Sequence, residues 1–146
     1  MLHVPSSERQ FIMYEALRKG ATVDELFELT KIKHYFIQQM KELVEEEESL
    51  MQYKGEVPPV EVLRQAKLDG FADKYLSELL GVTEEEIRDA RTKEGIVEGW
   101  EGVHVSATPD SAYYFSSYHI KDQSPCSDNK KIMILGGGPK PYRSGY

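Results

Sequence analysis

The sequence is first notable for what it is short of. It contains a single cysteine, Cys126, so no disulfide can form within the chain, and the disulfide framework of a small secreted domain is excluded. The opening Met1-Leu2-His3-Val4-Pro5 has neither a charged leader nor an apolar stretch behind it, and does not read as a signal peptide. No apolar run approaches the roughly 20 residues needed to span a bilayer. Positive charge is also scarce: 18 basic residues face 25 acidic ones, a formal net charge of −7. Such a chain repels a phosphate backbone, which argues against nucleic acid as a partner. Together these absences predict a cytoplasmic protein with no membrane segment.

What is present is the balance of an ordinary globular chain. Of the 146 residues, 40% are hydrophobic and 29% charged, enough for one cored domain with or without a tail. Residues 6 to about 93 divide themselves into short amphipathic helices. Ser7 with Gln10 reads as a capping box ahead of Phe11, Tyr14 and Leu17, and Gly20 as the stop. Thr22 with Glu25 is a second box, ahead of Leu26, Phe27 and Leu29. A longer helix is expected from Lys33 to Gln52, with Phe36, Ile37, Met40, Leu43, Val44 and Leu50 or Met51 as its apolar stripe. Gly55 and Pro58-Pro59 interrupt the chain. Val60, Leu63 and Ala66 then mark a fourth helix that stops at Gly70. Asp73 can cap a fifth carrying Leu76, Leu79 and Leu80, and Thr83 with Glu86 caps a sixth carrying Ile87 and Ala90.

These helices echo one another at an offset of 50 positions. Ile12, Met13 and Ala16 correspond to Val62, Leu63 and Ala66; Gly20 to Gly70; Leu26 to Leu76; Ile32 to Val82; Ile37 to Ile87. Glu28-Leu29 also corresponds to Glu78-Leu79, and because the matches fall mostly on apolar positions and glycine stops they mark core contacts and helix ends, so the expected fold is mainly α. It is a bundle of about six helices made by a twofold repeat of a three-helix unit, with an irregular C-terminal tail and one short β-strand. The chain divides into three regions: a helical domain over 1–95, an aromatic connector and loop over 96–130 containing Val103, Val105, Tyr113, Tyr114, Phe115 and Tyr118, and a terminal segment over 131–146. Lys131-Ile-Met-Ile-Leu135 is the strand pattern, followed by Gly136-Gly137-Gly138-Pro139.

No complete active site is written in these residues. Gly136, Gly137 and Gly138 could present backbone N–H groups to a phosphate, but neither a helix start nor Gly-Lys-Ser/Thr follows, and a strand-ending turn is the simpler reading. His3, His34, His104 and His119 lack partners at metal-binding spacing and read as surface or hydrogen-bonded histidines. Cys126, in a Ser-Pro-Cys-Ser stretch, has no base nearby in sequence. The run Glu45-Glu46-Glu47-Glu48 reads as solvated helix surface rather than a cation site. Tyr113, Tyr114 and Tyr118 read as packing of the connector against the helices, with a binding surface as the alternative. Residues 22–52 resemble a helix-turn-helix in outline but lack a basic recognition helix.

Four blocks of sequence resemble one family in order along the chain. They are Ala21-Thr-Val-Asp-Glu-Leu-Phe-Glu-Leu-Thr-Lys-Ile32 continuing through residues 35–45; Leu63-Arg-Gln-Ala-Lys-Leu-Asp-Gly-Phe-Ala-Asp73 with Gly81-Val-Thr-Glu-Glu-Glu-Ile-Arg88; Ala112-Tyr-Tyr-Phe-Ser-Ser-Tyr118; and Lys131-Ile-Met-Ile-Leu-Gly-Gly-Gly-Pro139. The family is the carbamoyl-phosphate synthase large chain. The resemblance implies a helical oligomerisation domain lying between two ATP-grasp halves, followed by the truncated start of the second half over 131–146. It implies a parent enzyme that uses ATP and magnesium to make carbamoyl phosphate from bicarbonate and glutamine-derived ammonia, with a glutamine amidotransferase small chain as partner and arginine and pyrimidine synthesis as destinations. The present segment would be a non-catalytic spacer that self-associates, holding no metal and no cofactor of its own. Two departures stand out. The Asp-Thr-Cys-Ala stretch of the family is replaced within Val103 to Asp110, and of the family's continuation beyond Gly-Gly-Gly-Pro, Lys140 to Tyr146 keep at most Gly145. The alternative reading is a stand-alone helical regulatory or DNA-binding module.

Overall fold

Two helices begin where sequence chemistry alone can start them. At Thr22 the backbone is extended; its hydroxyl accepts from Glu25 N at 3.2 Å, and the Glu25 carboxylate accepts from Thr22 N at 2.8 Å. Thr83 and Glu86 repeat the arrangement with the same two distances. Each box satisfies donors that a helix start leaves unpaired. The computed structural model describes residues 2–103, 113–124, 126–130 and 132. Its helices are α1 (Arg9–Arg18), α2 (Val23–Thr30), α3 (His34–Leu50, continued by a 3₁₀ turn Met51–Tyr53), α4 (Val60–Leu68), α5 (Asp73–Leu80) and α6 (Glu84–Lys93). The mainly α class expected from the sequence is the class observed.

The third expected box, Ser7 with Gln10, does not form. α1 starts at Arg9 behind Glu8, whose backbone is already helical, and Arg9 N bonds Ser6 O. A box needs an extended residue at the cap, and here a turn takes its place. Asp73 likewise is not a cap. The cap position falls on Ala72, and the Asp73 carboxylate is engaged instead with Lys67 and Arg91.

The first and fourth helices end in the same way. Gly20 and Gly70 adopt φ of 90° and 92°. Gly20 N bonds Leu17 O and Ala21 N bonds Ala16 O; Gly70 N bonds Lys67 O and Phe71 N bonds Ala66 O. This paired closure needs a left-handed residue, which glycine adopts without a Cβ penalty. α2 and α5 start at positions 23 and 73, α3 and α6 at 34 and 84, and α1 and α4 end at 18 and 68.

The buried residues form two clusters. Met13, Leu17, Leu26, Ile37 and Val44 make the first; Leu50, Leu63, Ala66, Phe71, Leu76, Leu80, Ile87 and Ile96 make the second. Each large apolar side chain so buried contributes about 1.5–3 kcal/mol. α3 supplies both clusters, and of the two candidates at its end Leu50 is the buried one while Met51 is exposed. Two aromatic expectations are corrected. Phe11 is 69% exposed and Phe36 58% exposed, because Met13, two positions after Phe11, and Ile37, next to Phe36, take the inward-facing places.

The connector is not irregular throughout. β1 (Gly99–Gly102) pairs antiparallel with β2 (Tyr114–Ser117), Gly99 opposite Ser117 and Gly102 opposite Tyr114, and Val103 N adds a bond to Tyr113 O. The strand expected over 131–135, apart from Ile132, lies outside the described residues, as do Val105 and the Gly136–Gly138 turn.

Candidate functional site

The junction between the two clusters is polar. On α3, Val44 belongs to the first cluster and Leu50 to the second, and Glu47 lies one turn from each. It is 1% exposed, the exception within a run of glutamates expected to be solvated. Its carboxylate accepts from the Tyr14 hydroxyl of α1 at 2.8 Å and stands 3.2 Å from the Arg18 guanidinium, with the Tyr75 phenol of α5 near enough to feel its charge. Helices α1, α3 and α5 therefore converge on one anion. Burial, then Glu47 itself, push the Tyr75 phenol up to about 12, and the same causes push Tyr14 further. The run of four glutamates conceals this role because only the helical phase decides which member faces inward.

An open groove of about 610 Å³ lies beside this junction, between α1, α3 and the α4–α5 turn. Phe11, Tyr14, Met40, Leu43, Phe71 and Tyr75 line it. A second shallow depression of about 630 Å³ runs over Leu2, Ala16, Ala21, Leu26 and Leu29. Both are predominantly apolar and open, the character of surfaces that meet another protein surface rather than of a closed cleft for a polar substrate.

A second buried polar group joins α4, α5 and α6. Lys67, 4% exposed, places Nζ 2.6 Å from Asp73 Oδ1 and donates to Phe71 O at 2.7 Å. Arg91 Nε donates to Asp73 Oδ2 at 2.7 Å, and its Nη1 to Ile96 O at 3.2 Å. Burial raises the Asp73 pKa, but the hydrogen bonds from Lys67 and Arg91 outweigh it, so the carboxyl lies below its ordinary range. Sequence reasoning missed the group: Asp73 was read as a helix cap, and Arg91 lies 18 positions from it.

The residues singled out in the sequence do not gather. His34 bonds Asp24 at 2.9 Å and stacks on Phe27, His119 Nε2 donates to Leu68 O at 2.9 Å, and His3 approaches Leu29 O at 3.4 Å, as hydrogen-bonded surface histidines should. His104 lies outside the described residues. Cys126 is exposed. Tyr118 packs against the second cluster as expected, whereas Tyr113 is 77% exposed and Tyr114 also faces outward. Among the described residues no group of three or more His, Cys, Asp or Glu is placed to hold a metal ion. None of their helices is long and apolar enough to cross a membrane.

Capped helices on two linked cores, with their buried charges turned inward on one another and apolar grooves outside, define a helical structural module. The chain belongs to the family described as the carbamoyl-phosphate synthetase large chain, oligomerisation domain, which it matches over residues 1–95. It is 41% identical over 143 residues to the carbamoyl phosphate synthase large chain of Methanosarcina barkeri, covering 95% of this chain and 13% of that protein. The corresponding large chain of Pseudomonas aeruginosa is 37% identical over 147 residues, covering 99% of this chain and 14% of that one. The arginine-specific, chloroplastic large chain of Arabidopsis thaliana is 36% identical over 147 residues, covering 99% and 12%. The chain thus spans only 12–14% of the length of these relatives. The family match does not favour the regulatory or DNA-binding alternative.

Proposed function

We propose that this chain is the helical oligomerisation domain of a cytoplasmic carbamoyl-phosphate synthase large chain. In that setting it separates two ATP-grasp halves and self-associates through its apolar helical surfaces, without taking part in the chemistry. The parent enzyme would consume ATP, with magnesium, to make carbamoyl phosphate from bicarbonate and from ammonia released by a glutamine amidotransferase small chain, supplying arginine and pyrimidine synthesis. The observation that carries this reading is the family match over residues 1–95, which coincides with the six helices and their two cores. The buried charges support a structural role, since Glu47 and Asp73 are each fully engaged by neighbouring side chains. A doubled three-helix unit, proposed from the 50-residue recurrence of helix bounds, suits a spacer between two halves.

Two measurements test the reading. Light scattering of the purified chain across a concentration series should show mass rising above that of a monomer. A strict monomer at the highest concentration would remove the self-association role. Bicarbonate-dependent ATP hydrolysis should stay at background, and turnover by this chain alone would overturn the non-catalytic assignment.

A further inference from the structure

We propose that Tyr118 is the bolt of an internal latch, and that Lys67, Asp73 and Arg91 form the catch on which it closes, so fixing the segment after α6 against α4, α5 and α6. The Tyr118 ring lies 5.0 Å from Lys67 Nζ and 5.9 Å from the Arg91 guanidinium carbon. Two cations under one ring would repel each other. Asp73 stands between them, one carboxylate oxygen on each, and Glu98 approaches Arg91 Nη1 at 3.8 Å, so the repulsion between the two cations is balanced while both still face the electron-rich ring. Lys67 is withdrawn from water, so a ring in contact with it is worth more than the same contact on an exposed lysine.

What Tyr118 holds is larger than one side chain. It follows β2 directly, and β2 carries β1 through the ladder. Beyond it, His119 bonds the end of α4 through Leu68 O, and Gln123 N returns to Trp100 O at 2.8 Å. The returning chain runs so close to β1 that a Cβ on Gly99 would collide with the backbone of Ile120, Lys121 and Asp122, which permits only glycine there. The two strands and residues 118–123 thus form one small flap. The aromatics of β2, Tyr114 and Phe115, are 43% and 44% exposed and outside the second cluster, so Tyr118 is the flap's aromatic anchor in it. The three charged residues of the catch satisfy one another without the ring, and α4, α5 and α6 keep their own core, so opening the latch leaves the helices folded. Tyr118 is therefore a positioning residue that sets where the chain leaves the helical body.

The test uses the whole chain. Amide hydrogen exchange is measured over 99–102 and 114–117, together with emission from Trp100, the single tryptophan, which reports directly on β1. Tyr118→Ala should speed exchange in both strands about tenfold or more and shift the Trp100 emission, with amides of α1, α2 and α3 unchanged. Tyr118→Phe, which keeps the ring face, should stay within about threefold of the parent protein. The proposal is overturned if Tyr118→Ala leaves strand exchange unaltered, or if Tyr118→Phe is as disruptive as alanine. It is equally overturned if Tyr118→Ala unfolds the helices together with the flap, since Tyr118 would then be a general core residue and not a latch.

Discussion

The Tyr14 hydroxyl donates to Glu47 Oε2 at 2.8 Å, joining α1 to a carboxylate 33 residues away that is almost wholly removed from water. Glu47→Ala strips the acceptor from Tyr14 and the counter-charge from Arg18. Because Arg18 is 40% exposed and can turn to solvent, the expected cost is about 3 kcal/mol, at the low end for a broken buried pair. Glu47→Gln keeps an acceptor for Tyr14 and should cost about 1 kcal/mol. Urea unfolding followed by circular dichroism reads both. The pH dependence has a definite sign. Both phenols have folded pKa values raised above the unfolded value of about 10, so their contribution is complete below pH 10. It is lost as pH rises from there through about 12, the value for Tyr75.

Lys31 closes α2 with φ 57°, where Gly81 closes α5 at the equivalent position with φ 74°. A left-handed lysine carries a Cβ penalty that glycine avoids. Lys31→Gly should therefore stabilise the chain by about 0.5–1 kcal/mol despite the loss of its contact with Glu28, and Gly81→Ala should destabilise it by about 1 kcal/mol. Opposite shifts of the melting temperature for the two variants are the expected result.

Thr22→Ala and Thr83→Ala each remove one capping box and should each cost about 1 kcal/mol. Their partners Glu25 and Glu86 have depressed pKa values, through hydrogen bonds first from the backbone and then from the side chain of the threonine. Each box is therefore complete above the unfolded pKa of about 4.3 and weakens as pH falls through the folded value. The double variant should show a flatter acid limb than the parent protein when stability is followed from pH 6 downward.

Asp73→Asn leaves Lys67 buried without a counter-charge and should cost about 3 kcal/mol. With its folded pKa lowered, Asp73 contributes above the unfolded value of about 3.9, and that contribution disappears as pH drops through the folded one. Nuclear magnetic resonance titration of the carboxyl should find it still ionised at pH 3.8, and Lys67→Met in the same background should recover part of the lost stability.

How much of this was legible in the sequence depends on the range of the interaction. Thr22 with Glu25, Thr83 with Glu86, and the closures at Gly20 and Gly70 are complete within six residues, and each was readable. Ser7 failed because its cap depends on the conformation of the residues before it, which composition does not set. Phe11 and Phe36 were misassigned because Met13, two positions on, and Ile37, next in the chain, take the inward places, and apolar character alone does not set the phase of the helix. Glu47 and Asp73 were invisible as buried anions since their partners, Tyr14 and Arg91, lie 33 and 18 positions away. Nothing short-range in a run of glutamates marks one of them as a hub. The Gly136–Gly138 turn stays a sequence expectation.

α3 runs unbroken for 17 residues, about 26 Å, and feeds side chains to both cores. A rod common to both cores makes them partners in one cooperative transition, because neither core can melt without surrendering part of the helix the other needs. It also makes the domain stiff along that axis. A push delivered at one end emerges at the other as tilt, with little of it absorbed on the way.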